Sequence, residues 1–116
     1  MIEVNEYVRT KNGYIIRVDE NTNIFNLGYK EQYVDMETTI YGFTCEEEIV
    51  KHSKQLIDLV EVGDYVNGKY VQKIKSDRNG KYILALIGII EEQDIKTILT
   101  KEQYLANCYK VGGEDE

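Results

Sequence analysis

The sequence predicts a mainly β (α+β) fold, a small and strongly bent antiparallel sheet or barrel with one or two short helices. Three observations carry that reading. Asn12-Gly13, Asn67-Gly68 and Asn79-Gly80 each lie between runs of β-branched and aromatic residues. Asn and Gly tolerate the positive φ that a tight hairpin turn demands. Proline is absent, so every turn must come from Gly, Asn and Asp. The longest apolar run, 83–90, has the length of a strand.

The organising stretch is 60–90, VEVGDYVNGKYVQKIKSDRNGKYILALIGII. It predicts a three-stranded meander over 64–66, 70–76 and 81–88. A two-residue turn at Asn79-Gly80 places Arg78 opposite Lys81, Ser76 opposite Ile83 and Ile74 opposite Ala85. Ile74, Ile83, Ala85 and Ile87 then share one face, and Lys73, Lys75, Tyr82, Leu84 and Leu86 the other. The last strand is apolar on both faces, which predicts an interior position with both faces covered. Val71 and Ile74 are both apolar at a spacing of three, so a β-bulge near Gln72 is expected to turn both inward.

Along the rest of the chain, the turn at Asn12-Gly13 predicts a hairpin with Tyr7 opposite Val18 and Arg9 opposite Ile16. A loop over 19–23 precedes a short strand at 24–27, and 38–43 reads as another strand. From 44 to 59 two readings stand side by side. Thr44-Cys45-Glu46-Glu47 fits a capping box opening a helix, while 48–53 equally fits a strand followed by a helical turn at 54–59. A strand at 95–99 leads to a second capping box, Thr100 to Gln103, opening a helix through about Asn107. Residues 109–111 are expected to return to the sheet edge and 112–116 to fray. The expected organisation is one domain over 1–116, with a hairpin and acidic segment in 1–44 and the meander plus short helix in 45–111.

Composition limits function. The net charge of −7 argues against general nucleic-acid binding, which needs cations to neutralise phosphates. Residues 31–48 contain Glu31, Asp35, Glu37, Glu46, Glu47 and Glu48 with no Lys or Arg. That segment reads either as a solvated edge or, with Tyr33 and Tyr41, as a patch that docks on a basic partner. The alternative surface is a Lys and Tyr face made of Lys69, Tyr70, Lys73, Lys75, Arg78 and Lys81, suited to stacking and phosphate contact.

Catalytic chemistry finds no foothold. His52 is the single histidine, and its neighbour Ser53 points elsewhere on a strand or a helix. Cys45 and Cys108 lack metal-ligand spacing and are expected to be reduced thiols. No phosphate-binding glycine loop is present, and no cofactor or metal is expected. The absence of a leader-like segment, or of an apolar run near the ~20 residues a membrane span needs, leads to the expectation of a cytoplasmic protein.

The strings IVKHSKQLIDLVEVGDYVNGKYVQKI, IKTILTKEQYLANCYKV and EYVRTKNG together resemble a family of small proteins encoded in phages and prophages of clostridia and related Gram-positive bacteria. The VGDYV entry into a hairpin also looks like SH3-like barrels. The resemblance transfers no catalytic residues. It implies a non-enzymatic accessory protein in the bacterial host cell that binds and inhibits a defence component, in the manner of an anti-CRISPR protein. The implied partner is a host protein with a basic or nucleic-acid-binding surface, and pairing of a sheet edge with a second copy is the assembly alternative.

Overall fold

In the computed structural model, which describes residues 2–27, 31–38, 43–109 and 111 (backbone alone for 37, 38, 43 and 44), Asn67-Gly68 behaves as its residue types dictate. Asn67 and Gly68 take φ of 55° and 79°, and Tyr65 pairs with Tyr70 and Val66 with Lys69 across them. The Asn67 side chain then fixes the next segment, donating to the Asp94 carbonyl at 2.8 Å and accepting from the Lys96 and Thr97 amides at 2.7 and 3.0 Å.

The strands are β1 (Tyr7–Thr10), β2 (Ile15–Arg17), β3 (Ile24–Asn26), β4 (Gln32–Thr38), β5 (Phe43–Ser53), β6 (Tyr65–Val66), β7 (Lys69–Asp77), β8 (Gly80–Ala85), β9 (Ile89–Glu91) and β10 (Ile98–Leu99). One helix, α1 (Lys101–Asn107), and two 3-10 turns (Leu56–Leu59 and Glu92–Asp94) complete the described elements. The mainly β reading holds. The strands divide between two five-stranded antiparallel sheets, ordered β2-β1-β5-β4-β3 and β10-β6-β7-β8-β9.

Two turns differ from their expected geometry, each for a local reason. At the end of β7, Asp77 pairs with Gly80, Ser76 with Lys81 and Ile74 with Ile83. The turn residues are therefore Arg78 and Asn79, and Asn79 keeps negative φ while Gly80 takes +117°. The Asp77 carboxylate accepts the Asn79 amide at 2.8 Å and captures the turn one residue early. The resulting register is displaced by two, so the faces survive and Ile74 still joins Ile83 on the inner side. In the N-terminal hairpin, Gly13 N donates to Thr10 O and Thr10 N to Tyr14 O, both at 2.9 Å. This three-residue loop pairs Tyr7 with Arg17 and Arg9 with Ile15, a slip of one from the expected pairing.

Gly13 has a second role. At φ +91°, a Cβ there would lie 2.3 Å from Thr100 Oγ1 and 2.8 Å from Glu102 Cβ. Only glycine allows this approach, which lets the Thr100 hydroxyl donate to Gly13 O at 2.7 Å. Thr100 is also the N-cap of α1 and accepts the Gln103 amide at 3.3 Å, as the capping box predicts. Gln103 does not complete that box; its side chain donates to Asn12 O at 2.6 Å instead.

The remaining differences concern extents. Residues 44–59 take the strand reading: β5 runs eleven residues to Ser53, and only Leu56–Leu59 is helical. Of the strand expected over 38–43, Thr38 ends β4 and Phe43 begins β5, paired with each other, and 39–42 lie outside the described residues. Strand β8 stops at Ala85, and Leu86 and Ile87 stand 70% and 76% exposed in the bend that follows. The interior position of β8 between β7 and β9 holds, yet its second face is not fully covered. Only Ile98–Leu99 of 95–99 is strand. Tyr109 and Val111 are exposed and outside any strand, and Lys110 and 112–116 lie outside the described residues.

The bulge appears where Val71 and Ile74 require it, with Val71 opposite Ala85 and Lys73 opposite Leu84. Val71 then joins Ile57, Val60, Val66, Ile83, Ala85 and Ile90 in one buried cluster, with Ile74, Ile95 and Ile98 packed against it. The turn Leu56–Leu59 plugs this sheet, held by Glu92, whose carboxylate accepts the Leu56 and Ile57 amides at 3.2 and 2.9 Å.

Between the sheets lies a buried ionic cluster. Arg9, 1% exposed, donates through Nη1 to Leu59 O at 2.8 Å and to Asp64 Oδ2 at 2.5 Å. Its Nη2 reaches Asp64 Oδ1 at 3.0 Å and Glu102 Oε1 at 2.7 Å. Asp64 is fully buried and also accepts the Glu61 and Lys101 amides at 2.8 and 2.9 Å. Glu61 closes the cluster with ion pairs to Lys51 at 3.1 Å and Lys101 at 2.9 Å.

Burial works to raise the Glu61 pKa, but hydrogen bonds from Lys101 and Lys51 and the charge of Arg9 overcome it and bring it from 4.5 down to about 2. A carboxylate with a depressed folded-state pKa contributes stability that is complete above its unfolded value and is lost as pH falls toward the folded one. Glu61→Gln should therefore be less stable than the parent at neutral pH, with the deficit shrinking as pH drops from 4.5 toward about 2. Urea unfolding of both chains across that range measures it, and a constant deficit would assign the role of Glu61 to packing alone.

Candidate functional site

The β4–β5 register determines what the acidic segment presents. Tyr33 lies opposite Glu48 and Asp35 opposite Glu46. Directly opposed residues project to the same side of a sheet, so these four share one face. Phe25 of β3 sits opposite Tyr33 and extends the face with a second aromatic. Glu31, exposed just before β4, acts on it at close range. The charge of Glu31, then burial, then Glu48 and Glu46 raise the Tyr33 hydroxyl pKa above 10.0, which keeps Tyr33 a neutral hydrogen-bonding group.

Glu47 stands apart. It lies opposite Val34, which is fully buried, and its Oε2 accepts from Asn12 Nδ2 at 2.8 Å. It therefore braces the N-terminal turn from the other face. Glu37 belongs to β4 opposite Thr44, a position whose backbone alone is described, and Tyr41 lies outside the described residues.

No Lys, Arg or His among the described residues comes within 4.0 Å of the carboxylates of Glu31, Asp35, Glu46 or Glu48. The described cations near carboxylates are engaged elsewhere, Lys51 and Lys101 with Glu61, Lys81 with Asp58 and Lys54 with Glu3. Asp35 and Glu46 thus face each other as an uncompensated like-charge pair, an arrangement that costs stability.

The alternative basic face divides. Lys73 and Lys75 pair with Leu84 and Tyr82 on one side of the second sheet, but Lys81 pairs with Ser76 on the other and is held by Asp58 at 2.7 Å. Glu91 lies opposite Tyr82, placing an acid in the row that holds Lys75. Tyr70 contacts Tyr65 edge-on at 5.5 Å between ring centres, and Tyr104 stacks on Tyr65 at 5.2 Å. Lys69 pairs with Val66 and Arg78 occupies the turn beyond β7. The six residues do not converge.

His52 and Ser53 bond to different carboxylates. His52 Nδ1 shares a 2.6 Å hydrogen bond with Glu6 Oε1, which, more than any other influence, holds the Glu6 carboxyl below its usual 4.5. Ser53 Oγ donates to Asp58 at 2.6 Å instead. Cys45 and Cys108 are free thiols. Among the described residues no group of three or more His, Cys, Asp or Glu side chains could hold a metal ion. No described helix is long and apolar enough to cross a membrane.

The buried Arg9–Asp64 cluster had no place among the sequence expectations. Its one sequence signal is an arginine inside the otherwise uncharged strand YVRT.

Glu46→Lys should place a cation opposite Asp35 and stabilise the chain by about 0.2–1 kcal/mol, read by urea unfolding at low salt. A loss of stability would contradict the assigned register. Comparison with protein-family models, curated proteins and solved structures found no match to this chain.

Proposed function

We propose that this protein is a non-enzymatic binding protein that docks the acidic face of its first sheet on a basic surface of a partner. The observation that carries the reading is the alignment of Tyr33, Asp35, Glu46 and Glu48 on one face with no cation beside them among the described residues. Successive acids on one strand face recur about every 6.6 Å, a row of negative charge suited to a surface that handles nucleic acid. The rigid β ladder sets this spacing before contact, so little ordering cost is incurred on binding. Tyr33 and Phe25 supply apolar area between the charges.

In keeping with the resemblance to phage proteins, the partner is a host defence component in the bacterial cytoplasm, blocked when its basic channel is occupied. The Lys and Tyr reading is weaker, because Lys81 is paired with Asp58 and Glu91 interrupts the basic row.

The test is affinity capture from bacterial host lysate, followed by kinetics with the captured protein. A basic, nucleic-acid-handling partner should be recovered. Joint Glu46→Lys and Glu48→Lys should then slow association by about tenfold or more at low salt, with the fold intact by circular dichroism. Recovery of no basic partner, or unchanged association after charge reversal, would exclude this face as the docking surface.

A further inference from the structure

A groove enclosing about 320 Å³ runs between the N-terminal hairpin and the segment entering β10. Ile15, Leu56, Ile95 and Ile98 line it, each half-buried. That volume lies at the lower end of the ~300–1,000 Å³ typical of small-ligand sites.

Two further observations specify an occupant. The first is a free sheet edge. Strand β2 is outermost in its sheet, and its hydrogen-bond phase follows from its flanks: Thr10 N donates to Tyr14 O, and Val18 N to Glu6 O. Positions 14, 16 and 18 therefore face β1, and Ile15 and Arg17 turn their N–H and C=O groups to the open edge.

The second observation is charge. Arg17 and Lys96 are the charged groups among the described residues lining the groove, and no carboxylate lines it. Arg17 donates to the neutral Asn5 side chain at 2.8 Å, and no described residue pairs with the Lys96 ammonium. Asp19 feels the charge of Arg17, but an oxygen of its carboxylate is held by the Asn21 amide and the Thr22 hydroxyl at 2.9 and 3.0 Å. In a chain of net charge −7, this is a local cationic rim over an apolar floor.

We propose that this groove binds an extended peptide as an added antiparallel strand on β2, with an apolar residue and an acidic residue two positions apart. Ile15 and Arg17 share one face two residues apart. A strand paired with them presents its own residues n and n+2 on the same face. The apolar side chain enters among Ile15, Leu56, Ile95 and Ile98, and the carboxylate meets Arg17 and Lys96. This site is separate from the acidic docking face and does not depend on it.

The probe is acetyl-Thr-Asp-Thr-Val-Thr-amide, whose antiparallel pairing sets Asp opposite Arg17 and Val opposite Ile15, titrated into the isotope-labelled full chain and followed by amide NMR. Binding with Kd below about 1 mM and shifts centred on Ile15 and Arg17 are expected. Methylating the Val and Asp amide nitrogens should weaken it at least about tenfold, since those N–H groups would face β2. Arg17→Glu, a change at an exposed position, should reverse the preference in favour of a peptide with Lys in place of Asp. Absent shifts at millimolar peptide, shifts elsewhere, or binding indifferent to both N-methylation and Arg17→Glu would overturn the proposal.

Discussion

The Arg9 guanidinium, enclosed between two sheets, is the group around which the rest of the molecule is arranged. A buried charge is tolerated only when it is paired and its donors are satisfied. Burial alone would lower the Arg9 pKa, yet the hydrogen bonds and charge of Asp64, with Glu102 and Glu61, raise it overall. Those partners come from the entry to the meander and from the first turn of α1, and Leu59 contributes its carbonyl from the 3-10 turn. Asp64 is equally committed, since it also receives the Glu61 and Lys101 amides. One cluster thereby sets where the first sheet, the second sheet and the terminal helix meet. An apolar pair of similar volume could bind the sheets as tightly; what the ions add is a single permitted arrangement.

The same cluster bears on the surface. Lys51 and Lys101 are drawn to Glu61 and Lys81 to Asp58, so these cations do not neutralise the acids of the first sheet. On the β4–β5 ladder Asp35, Glu46 and Glu48 have no cation within 4.0 Å among the described residues, and the cross-strand opposition of Asp35 and Glu46 is a cost carried in the free protein. In the proposed function, contact with a basic surface would relieve that cost.

Parts of this architecture were legible in the residues because local chemistry decides them. Asn67-Gly68 forms its turn through backbone conformations that those residues favour, Val71 and Ile74 require the bulge between them, and Thr100 caps α1. The other two Asn-Gly turns were misplaced because side chains compete with the dipeptide: Asp77 captures the Asn79 amide, and the Thr10 hydroxyl accepts the Tyr14 amide across a three-residue loop. In 44–53 the capping-box pattern lost to pairing with β4 and β1, partners that no local pattern shows. The acidic face was visible as composition, but which acids share it depended on register, which removed Glu47. Arg9 and Asp64 are 55 residues apart, and nothing in either neighbourhood names the other.

A double-mutant cycle on Arg9 and Asp64 tests the central claim most directly. Arg9→Met, Asp64→Leu and the combination are compared with the parent by urea unfolding. Each single variant should lose about 3–5 kcal/mol by leaving one buried charge without its main partner, and the double variant should lose at least about 2 kcal/mol less than the sum of the two. Strict additivity would show that the two residues act independently and would contradict an arrangement organised by their pairing.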